Sequence, residues 1–380
     1  MTSSTPSESS GKPKNKRVFF FYFILIAFFL LMLLIIGALV TEIGLRWSGK
    51  YAISGFTLDR EVIWRLKPHM CEDNSNEEGS HFELTTNSKG FRGKEWESKK
   101  TKKRIMLLGD SYTAALDFPD DQTFAGILQA KLDSDAATKG QYEVINISAP
   151  AWSIDQQMLM FEKYAAELRP DYTILMAAPN DVRELFCKKF ITSNGAGGIV
   201  VHPPDFILKK RVGWYLSERS SLFQYLQEKK FHSNYGTFYD IFEMYTMNFG
   251  VHDSTDWDRP LYLKNPMPEV DEAFSLYHTV FKRLKEDCTR QNSKLLVTMI
   301  PVQDYVEGHY VPDTLLDQNK VLNYFTGLCA ESQLPFLNMY GAATSLQHAP
   351  SLYKKHDLHY SSFGNLFTGT QLYAFFKSNM

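Results

Sequence analysis

Residues 104–113 read RIMLLGDSYT, an apolar run that ends in Gly109-Asp110-Ser111. The run has the length of a buried strand, and residues 122–132 (QTFAGILQAKL) then repeat apolar side chains near the helical period. A strand followed by a helix is the repeating unit of α/β proteins with a parallel sheet. This stretch therefore predicts where such a sheet begins.

The same alternation continues towards the end of the chain. Further strands are predicted at 142–147, 172–177, 294–300 and 335–339, and further helices at 154–168, 270–287, 315–330 and 363–376. Strands that alternate with helices in this way form a parallel, doubly wound sheet covered on both faces. The order of elements thus predicts an α/β fold over residues 101–380.

The alternation is lost at about 186–268, where aromatic residues such as Trp214, Tyr215, Phe223 and Tyr239 are frequent. We interpret this segment as an insertion into the α/β domain. It either covers the catalytic face and helps to select the substrate, or packs its own aromatic side chains as an ordinary helical excursion.

An uncharged and almost wholly apolar stretch occupies residues 18–40. A helix of this length crosses the hydrocarbon core of a bilayer, which is about 30 Å thick. The alternatives are a buried core helix and a cleavable signal peptide, whose apolar region is shorter, about 7–15 residues. We therefore predict one transmembrane helix.

Positive charge is concentrated before this helix, at Lys12, Lys14, Lys16 and Arg17, whereas Arg46 and Lys50 are the nearest cations after it. The positive-inside rule then places the N-terminus in the cytoplasm and the α/β domain outside it, in the periplasm if the host is bacterial. Residues 1–17 are predicted to be a disordered cytoplasmic tail and 41–100 a juxtamembrane lead-in segment.

Composition excludes several classes of function. The 380 residues carry a formal net charge of -2, which provides no basic footprint for nucleic acid. The four cysteines, Cys71, Cys187, Cys288 and Cys329, form no C-x-x-C pair and have no histidines at metal-ligand spacing, so no zinc site is predicted. A disulfide stays open as an alternative, since an extracytoplasmic domain lies in an oxidising compartment.

The residues that follow the predicted strands carry the chemistry, because ligands bind outside the carboxyl ends of parallel strands. Ser111 follows the first strand at a strand-to-helix turn that exposes a hydroxyl, although Asp-Ser is also a helix-capping signal. The small residues 148–151 follow the second strand, and Asn180 follows the third. Backbone amides and an asparagine side chain are the donors that stabilise an oxyanion.

A histidine that could serve as base lies near the end, in residues 355–364 (KHDLHYSSFG), just before the last helix. His359 stands two residues after Asp357, so in an extended loop the two side chains point to the same side. The carboxylate could then orient the imidazole, which in turn would activate Ser111. His356 and a solvated turn are the competing interpretations.

In this order, the segments resemble the SGNH/GDSL hydrolase superfamily over roughly residues 104–376. The resemblance implies a flavodoxin-like three-layer α/β/α sandwich and a catalytic triad of Ser111, His359 and Asp357. It also implies an oxyanion hole made by the amides of Ser111 and Ala151 and by Asn180. Residues 87–93 (NSKGFRG) are similar to a segment ahead of this domain in envelope members of the superfamily.

Two positions depart from the family pattern. Ala151 stands where a glycine usually offers its amide, which lowers the conformational freedom of that donor. In the commoner last block the aspartate comes three residues before the histidine, a place held here by His356, whereas Asp357 follows a variant spacing.

The predicted function is a serine esterase that forms an acyl-enzyme and needs no metal or organic cofactor. Its substrate would be an acylated glycan, a lipid or a small ester. One alternative is an O-acyltransferase that modifies an exported polysaccharide. The other is a catalytically silent binding module that has kept the fold.

Overall fold

The computed structural model describes residues 15–48, 55–204, 208–231, 258–307, 314–346 and 350–380. The middle of the predicted insertion, 232–257, and most of the predicted tail lie outside the described residues. The chain divides into two compact units, one containing residues up to 54 and 215–237, the other 55–214 and 238–380. Every site residue predicted from the sequence belongs to the second unit.

The described helices and strands are as follows. The helices are α1 (Asn15–Ser48), α2 (Ser111–Ala114), α3 (Phe124–Ser134), α4 (Ile154–Leu168), α5 (Asn180–Lys188), α6 (Leu208–Ser217), α7 (Ser221–Phe231), α8 (Pro268–Arg290), α9 (Gln303–Val306), α10 (Lys320–Glu331), α11 (Tyr340–Thr344) and α12 (Ser362–Asn379). The strands are β1 (Phe56–Asp59), β2 (Ile63–Leu66), β3 (Cys71–Ser75), β4 (His81–Thr85), β5 (Lys103–Gly109), β6 (Tyr142–Ser148), β7 (Tyr172–Ala177), β8 (Ile191–Ser193), β9 (Ile199–Val201), β10 (Lys294–Met299) and β11 (Phe336–Asn338).

Five strands form the central sheet in the order β11-β10-β7-β5-β6, and every pair in it is parallel. Numbered along the chain within this sheet, the order is 2-1-3-4-5, which is the flavodoxin-like arrangement. The predicted parallel sheet is confirmed. The chain switches direction across the sheet at β5, because β6 lies on one side of it and β7 on the other.

Alternating side chains of the strands bury both faces of the sheet. Met106 and Leu108 of β5 face a core shared with α4, α8 and α10. Ile105 and Leu107 point the other way, into a second core shared with α3 and α12. Successive side chains of a strand point to opposite faces, so a strand buried on both sides reads as a continuous apolar run. The predicted three-layer sandwich is therefore confirmed.

Two antiparallel hairpins, β1-β2 and β3-β4, precede β5 in residues 55–102. Trp64 of β2 is fully buried, and its indole Nε1 donates to the carbonyl of Pro150, 2.9 Å away. In return Nε1 of Trp152 donates to the carbonyl of Trp64, also at 2.9 Å. This reciprocal pair fixes the first hairpin beneath the loop that follows β6.

The first unit contains the apolar helix α1. Within α1, Val18–Ser48 is apolar and long enough to cross a membrane, with a mean hydropathy of 3.2 and none of its most apolar window buried. Near the end of this helix, the carboxylate of Glu42 accepts hydrogen bonds from the Ser220 hydroxyl and from the amides of Ser221 and Leu222. Glu42 thus caps the first turn of α7, whose amides have no partner inside the helix.

Two elements differ from the sequence prediction. The helix predicted at 315–330 begins at Lys320, because the backbone of Leu316 forms a bridge with Leu263 and cannot enter a helix. The helix α5 was missed altogether. No disulfide forms, since Cys71, Cys187, Cys288 and Cys329 all carry free thiols.

Candidate active site

Ser111 is the first residue of α2 and lies directly beyond the carboxyl end of β5. Asp110 is the cap of this helix, because its Oδ1 accepts a hydrogen bond of 3.0 Å from the amide of Tyr112. A Cβ atom at Gly109 would lie 2.6 Å from Cβ of Thr113 and 3.2 Å from Cβ of Met176. Only glycine lets the helix turn this tightly over the strand, and the turn leaves Ser111 partly exposed.

His359 lies in a narrow loop that precedes α12. The amide of Lys354 donates to the carbonyl of His359 at 2.9 Å, and the amide of Ser361 donates to the carbonyl of Leu352 at 2.8 Å. Tyr112 of α2 holds the loop from the other side, since its hydroxyl donates to the carbonyl of Leu358 across 2.8 Å. The Tyr112 ring also lies 5.0 Å from the imidazole of His359, centre to centre.

Ser111, His359 and Asp357 form one continuous chain of hydrogen bonds. Nε2 of His359 is 2.7 Å from Oγ of Ser111, and Nδ1 of His359 is 2.7 Å from Oδ1 of Asp357. In the tautomer with its proton on Nδ1, the imidazole donates to Asp357 and accepts the serine proton on Nε2. The structure thus brings together the three residues that the sequence predicted as a triad.

Two partners keep Asp357 ionised. Its burial favours the neutral acid, but the hydrogen bond and charge of His359 and those of Lys354 outweigh this and hold the pKa of Asp357 below its ordinary value. Nζ of Lys354 lies 2.8 Å from Oδ2 of Asp357, so His359 and Lys354 contact different oxygens of one carboxylate. The variant aspartate spacing therefore still delivers an anion to Nδ1 of the imidazole.

Asn180 begins α5, beyond the carboxyl end of β7, next to the loop that carries Ser111. Its Nδ2 donates to Oε1 of Glu184 at 3.2 Å and to Oδ2 of Asp110 at 3.4 Å. The second contact is longer than an ordinary N–H···O hydrogen bond and is correspondingly weak. An oxyanion could replace it at small cost.

Three buried carboxyl groups surround Asn180, those of Asp110, Asp181 and Glu184. Burial raises the pKa of Asp110, and burial together with repulsion from Asp110 raises the pKa of Asp181 well above its ordinary value. Burial also raises the pKa of Glu184 to about 7, against the opposing charges of Arg183 and Lys188. The candidate site therefore contains three buried carboxyl groups whose pKa values are raised above their ordinary values.

Ala151 lies in the loop after β6, on the other side of β5 from Asn180. It has a φ of 57°, in the left-handed region that favours glycine. The alanine therefore adopts the backbone conformation that a glycine would take there. In the described part of the chain, the amides of Ser111 and Ala151 donate to no protein acceptor.

Three further residues lie in or near the histidine loop. His356 is exposed and takes no part in the hydrogen-bond chain that starts at Ser111. Sequence reasoning missed Tyr112 and Lys354, each of which holds the histidine loop. The only feature of the sequence that could have identified them is their proximity to Ser111 and Asp357.

A separate cavity of about 240 Å³ opens where β10 and β11 end, at the same edge of the sheet. Its walls include Met299, Asn338 and Tyr340, but none of the residues of the Ser111–His359–Asp357 chain. The hydrogen-bonded serine, rather than this cavity, is therefore the centre of the candidate site.

No family model and no curated protein matches the chain. Among solved structures it is similar to an acetyl xylan esterase, AlAXEase, with 15% identity over 71% of this chain and 98% of that one, at a TM-score of 0.39. A lipase/acylhydrolase from Enterococcus faecalis shows 12% identity over 73% and 96%, at a TM-score of 0.39. A catalytic mutant of an acetylxylan esterase from Geobacillus stearothermophilus shows 11% over 73% and 96%, at 0.41. With similarities this distant, the functional case rests on the geometry of Ser111, His359 and Asp357.

Proposed function

We propose that the protein is a membrane-anchored serine esterase of the SGNH/GDSL type, with Ser111 as nucleophile. The observation that carries this proposal is the unbroken chain from Oγ of Ser111 through both nitrogens of His359 to Asp357, with 2.7 Å at each contact. A serine hydroxyl is a weak nucleophile until an adjacent base accepts its proton, and the base must itself be oriented.

In the proposed reaction, Nε2 of His359 accepts the proton of Ser111 while Oγ attacks the ester carbonyl. The amides of Ser111 and Ala151 and the side chain of Asn180 stabilise the oxyanion, with Asn180 giving up its weak contact to Asp110. The imidazolium then protonates the leaving alcohol, and the acyl group stays on Ser111. A water molecule, deprotonated by His359, releases the acid and restores the serine.

The apolar helix supports a location of this chemistry next to a membrane. Val18–Ser48 would anchor the chain, and the positive charges before it would keep the N-terminus in the cytoplasm and the active site outside. Esters that occur there, such as acylated glycans and lipids, form the proposed substrate class. Nothing in the mechanism requires a metal or an organic cofactor.

Hydrolysis of p-nitrophenyl acetate tests the proposal. Ser111→Ala should abolish turnover and labelling by a fluorophosphonate probe, because no other activated hydroxyl is hydrogen-bonded to His359 in the described residues. Ser134→Ala, which changes an exposed serine on α3, is the control and should retain both. A folded wild-type protein whose Ser111 stays unlabelled would refute the proposal in favour of a silent binding module.

The fate of the acyl group separates esterase from O-acyltransferase. Both reactions share the acyl-enzyme and differ only in whether water or a sugar hydroxyl attacks it. We expect release to water with a soluble ester. Faster transfer to an added glycan acceptor than to water would favour the transferase.

A further inference from the structure

Lys354 contributes both its backbone and its side chain to the histidine loop. Its residue is only 6% exposed, and its Nζ lies 2.8 Å from Oδ2 of Asp357 and 2.5 Å from Oδ2 of Asp117. Its amide also donates to the carbonyl of His359 at 2.9 Å. A buried ammonium needs compensation, which the two carboxylates supply.

Asp117 reaches Lys354 from the turn that follows α2, the helix of Ser111. Arg92 belongs to the segment 87–93. Its guanidinium fixes this turn by donating to the carbonyls of Ala114, at 3.1 Å, and of Ala115 and Phe118. Lys354 therefore joins two parts of the chain, the nucleophile turn through Asp117 and the histidine loop through Asp357.

The contact with Lys354 restricts the rotation of the Asp357 carboxylate. Its side chain is 40% exposed, so surrounding atoms confine it only in part. Oδ1 accepts from Nδ1 of His359 at 2.7 Å and from the amide of His359 at 3.3 Å, whereas the hydrogen bond to Oδ2 in the described part of the chain comes from Lys354. The ammonium thus determines which carboxylate oxygen faces the imidazole.

We propose that Lys354 is a positioning residue that orients Asp357 towards His359, and that Asp117 holds the ammonium of Lys354 in place for this role. This inference rests on the proposed function, since it assigns the surroundings of the same triad. Lys354 touches neither substrate nor Ser111, and acts only through Asp357.

The charges around Lys354 support this role. Lys354 is faced by Asp117 and Asp357, and although burial disfavours its charge, these carboxylates hold its pKa above the ordinary value. Removing the cation at 354 leaves Oδ2 of Asp357 without this partner, whereas removing the anion at 117 leaves Lys354 with one carboxylate instead of two.

Two paired measurements test the inference. The first is the separate measurement of kcat and KM for ester hydrolysis in Lys354→Met, Lys354→Arg and Asp117→Asn. Lys354→Met should lower kcat about tenfold through misorientation of Asp357 and leave KM nearly unchanged, because Lys354 touches no substrate. Asp117→Asn should lower kcat less, since Lys354 keeps its contact with Asp357. Lys354→Arg should restore most of kcat, because it keeps the charge.

The second measurement is the NMR signal of the Nδ1–H proton of His359 in the Ser111→Ala background, which needs no catalysis. A proton in a short, charge-assisted hydrogen bond to a carboxylate exchanges slowly with water and gives a visible signal. Lys354→Met should weaken this signal and Lys354→Arg should retain it. Lys355→Met, which removes the same charge from an exposed neighbour, should leave it nearly unchanged.

An unchanged Nδ1–H signal and an unchanged kcat in folded Lys354→Met, or no rescue by Lys354→Arg, would overturn the inference. The two proposals fail differently. Loss of the signal in Lys354→Met, in a protein without esterase activity, would retain the role of Lys354 and refute the proposed function. Full activity in Ser111→Ala would refute the function whatever the NMR signal shows.

Discussion

The side-chain amide of Asn180 donates to the carboxyl of Glu184 across 3.2 Å, one helical turn along α5. Glu184 is 3% exposed, and its other oxygen, Oε2, has no hydrogen-bond partner in the described structure. The candidate oxyanion donor is thus held by a buried acid. The protonation of that acid is coupled both to the stability of α5 and to the orientation of Asn180.

Glu184→Gln should stabilise the protein at alkaline pH but not at acid pH. Burial raises the pKa of Glu184 from 4.5 to about 7 in the folded state. The unfolded chain therefore loses this proton first, and the free energy of unfolding contributed by Glu184 falls as pH rises from 4.5 to about 7. Glutamine does not titrate, so the advantage of the variant should grow through this window, towards roughly 3 kcal/mol.

Urea unfolding of both proteins below and above this window measures the difference. The control is Glu286→Gln on the exposed side of α8, for which we expect a small and constant difference. An advantage of Glu184→Gln that is the same at every pH would contradict a buried acid that stays protonated.

Ala151→Gly should keep the esterase activity and leave stability unchanged or higher by up to about 1 kcal/mol, because the left-handed backbone suits glycine. Ala151→Val should lower the free energy of unfolding by roughly 1 kcal/mol or more, since a branched side chain disfavours a φ of 57°. Thermal unfolding and ester hydrolysis check both. Arg169→Gly is the control, because it relieves a φ of 48° at the residue that follows α4 and should leave activity unchanged.

Gly109→Ala should destabilise the protein by about 1–3 kcal/mol, the usual range for overpacking, and reduce activity. The added methyl group would lie 2.6 Å from Cβ of Thr113 and push α2 away from β5. Gly327→Ala adds the same group to open space on α10 and should be neutral or stabilising. A well-folded, fully active Gly109→Ala protein would show that the nucleophile turn needs no close contact with the strand.

Arg92→Lys should destabilise the protein by roughly 2–3 kcal/mol and lower kcat, although the charge is kept. An ammonium cannot reproduce the planar set of donors that reaches Ala114, Ala115 and Phe118, so buried carbonyls would lose their partners. Chemical denaturation and ester hydrolysis measure the two effects. Arg65→Lys, at a partly exposed arginine of β2 that pairs with Asp59 at 3.0 Å, should change little.

Much of the fold and the reactive centre could be predicted from local pattern. The strand β5 shows as an apolar run because it is buried on both faces, and the turn after it marked Ser111. His359 could be found because it precedes the closing helix. Two short-range rules, apolar periodicity and strand-end position, were sufficient for both.

Three other features were not predicted from local pattern. The helix α5, NDVRELFCK, is only nine residues long, and it buries the charged residues Arg183, Glu184 and Lys188, which sequence reasoning expects at the surface. Asp117 and Lys354 are 237 residues apart and meet only after the sheet has closed. The left-handed backbone conformation of Ala151 was also not predicted, since alanine rarely adopts a positive φ.

The indole hydrogen bonds of Trp64 and Trp152 determine the shortest version of the α/β unit that can be produced without the apolar helix α1. A version that starts at residue 101, where the strand pattern begins, would lack Trp64. The carbonyl of Pro150 would then lose its donor, and a cavity the size of an indole would open beside Ala151. A version that starts at Gly55 keeps both bonds. Soluble preparations for crystallisation or inhibitor screening should therefore be trimmed at the first hairpin, not at the first strand of the sheet.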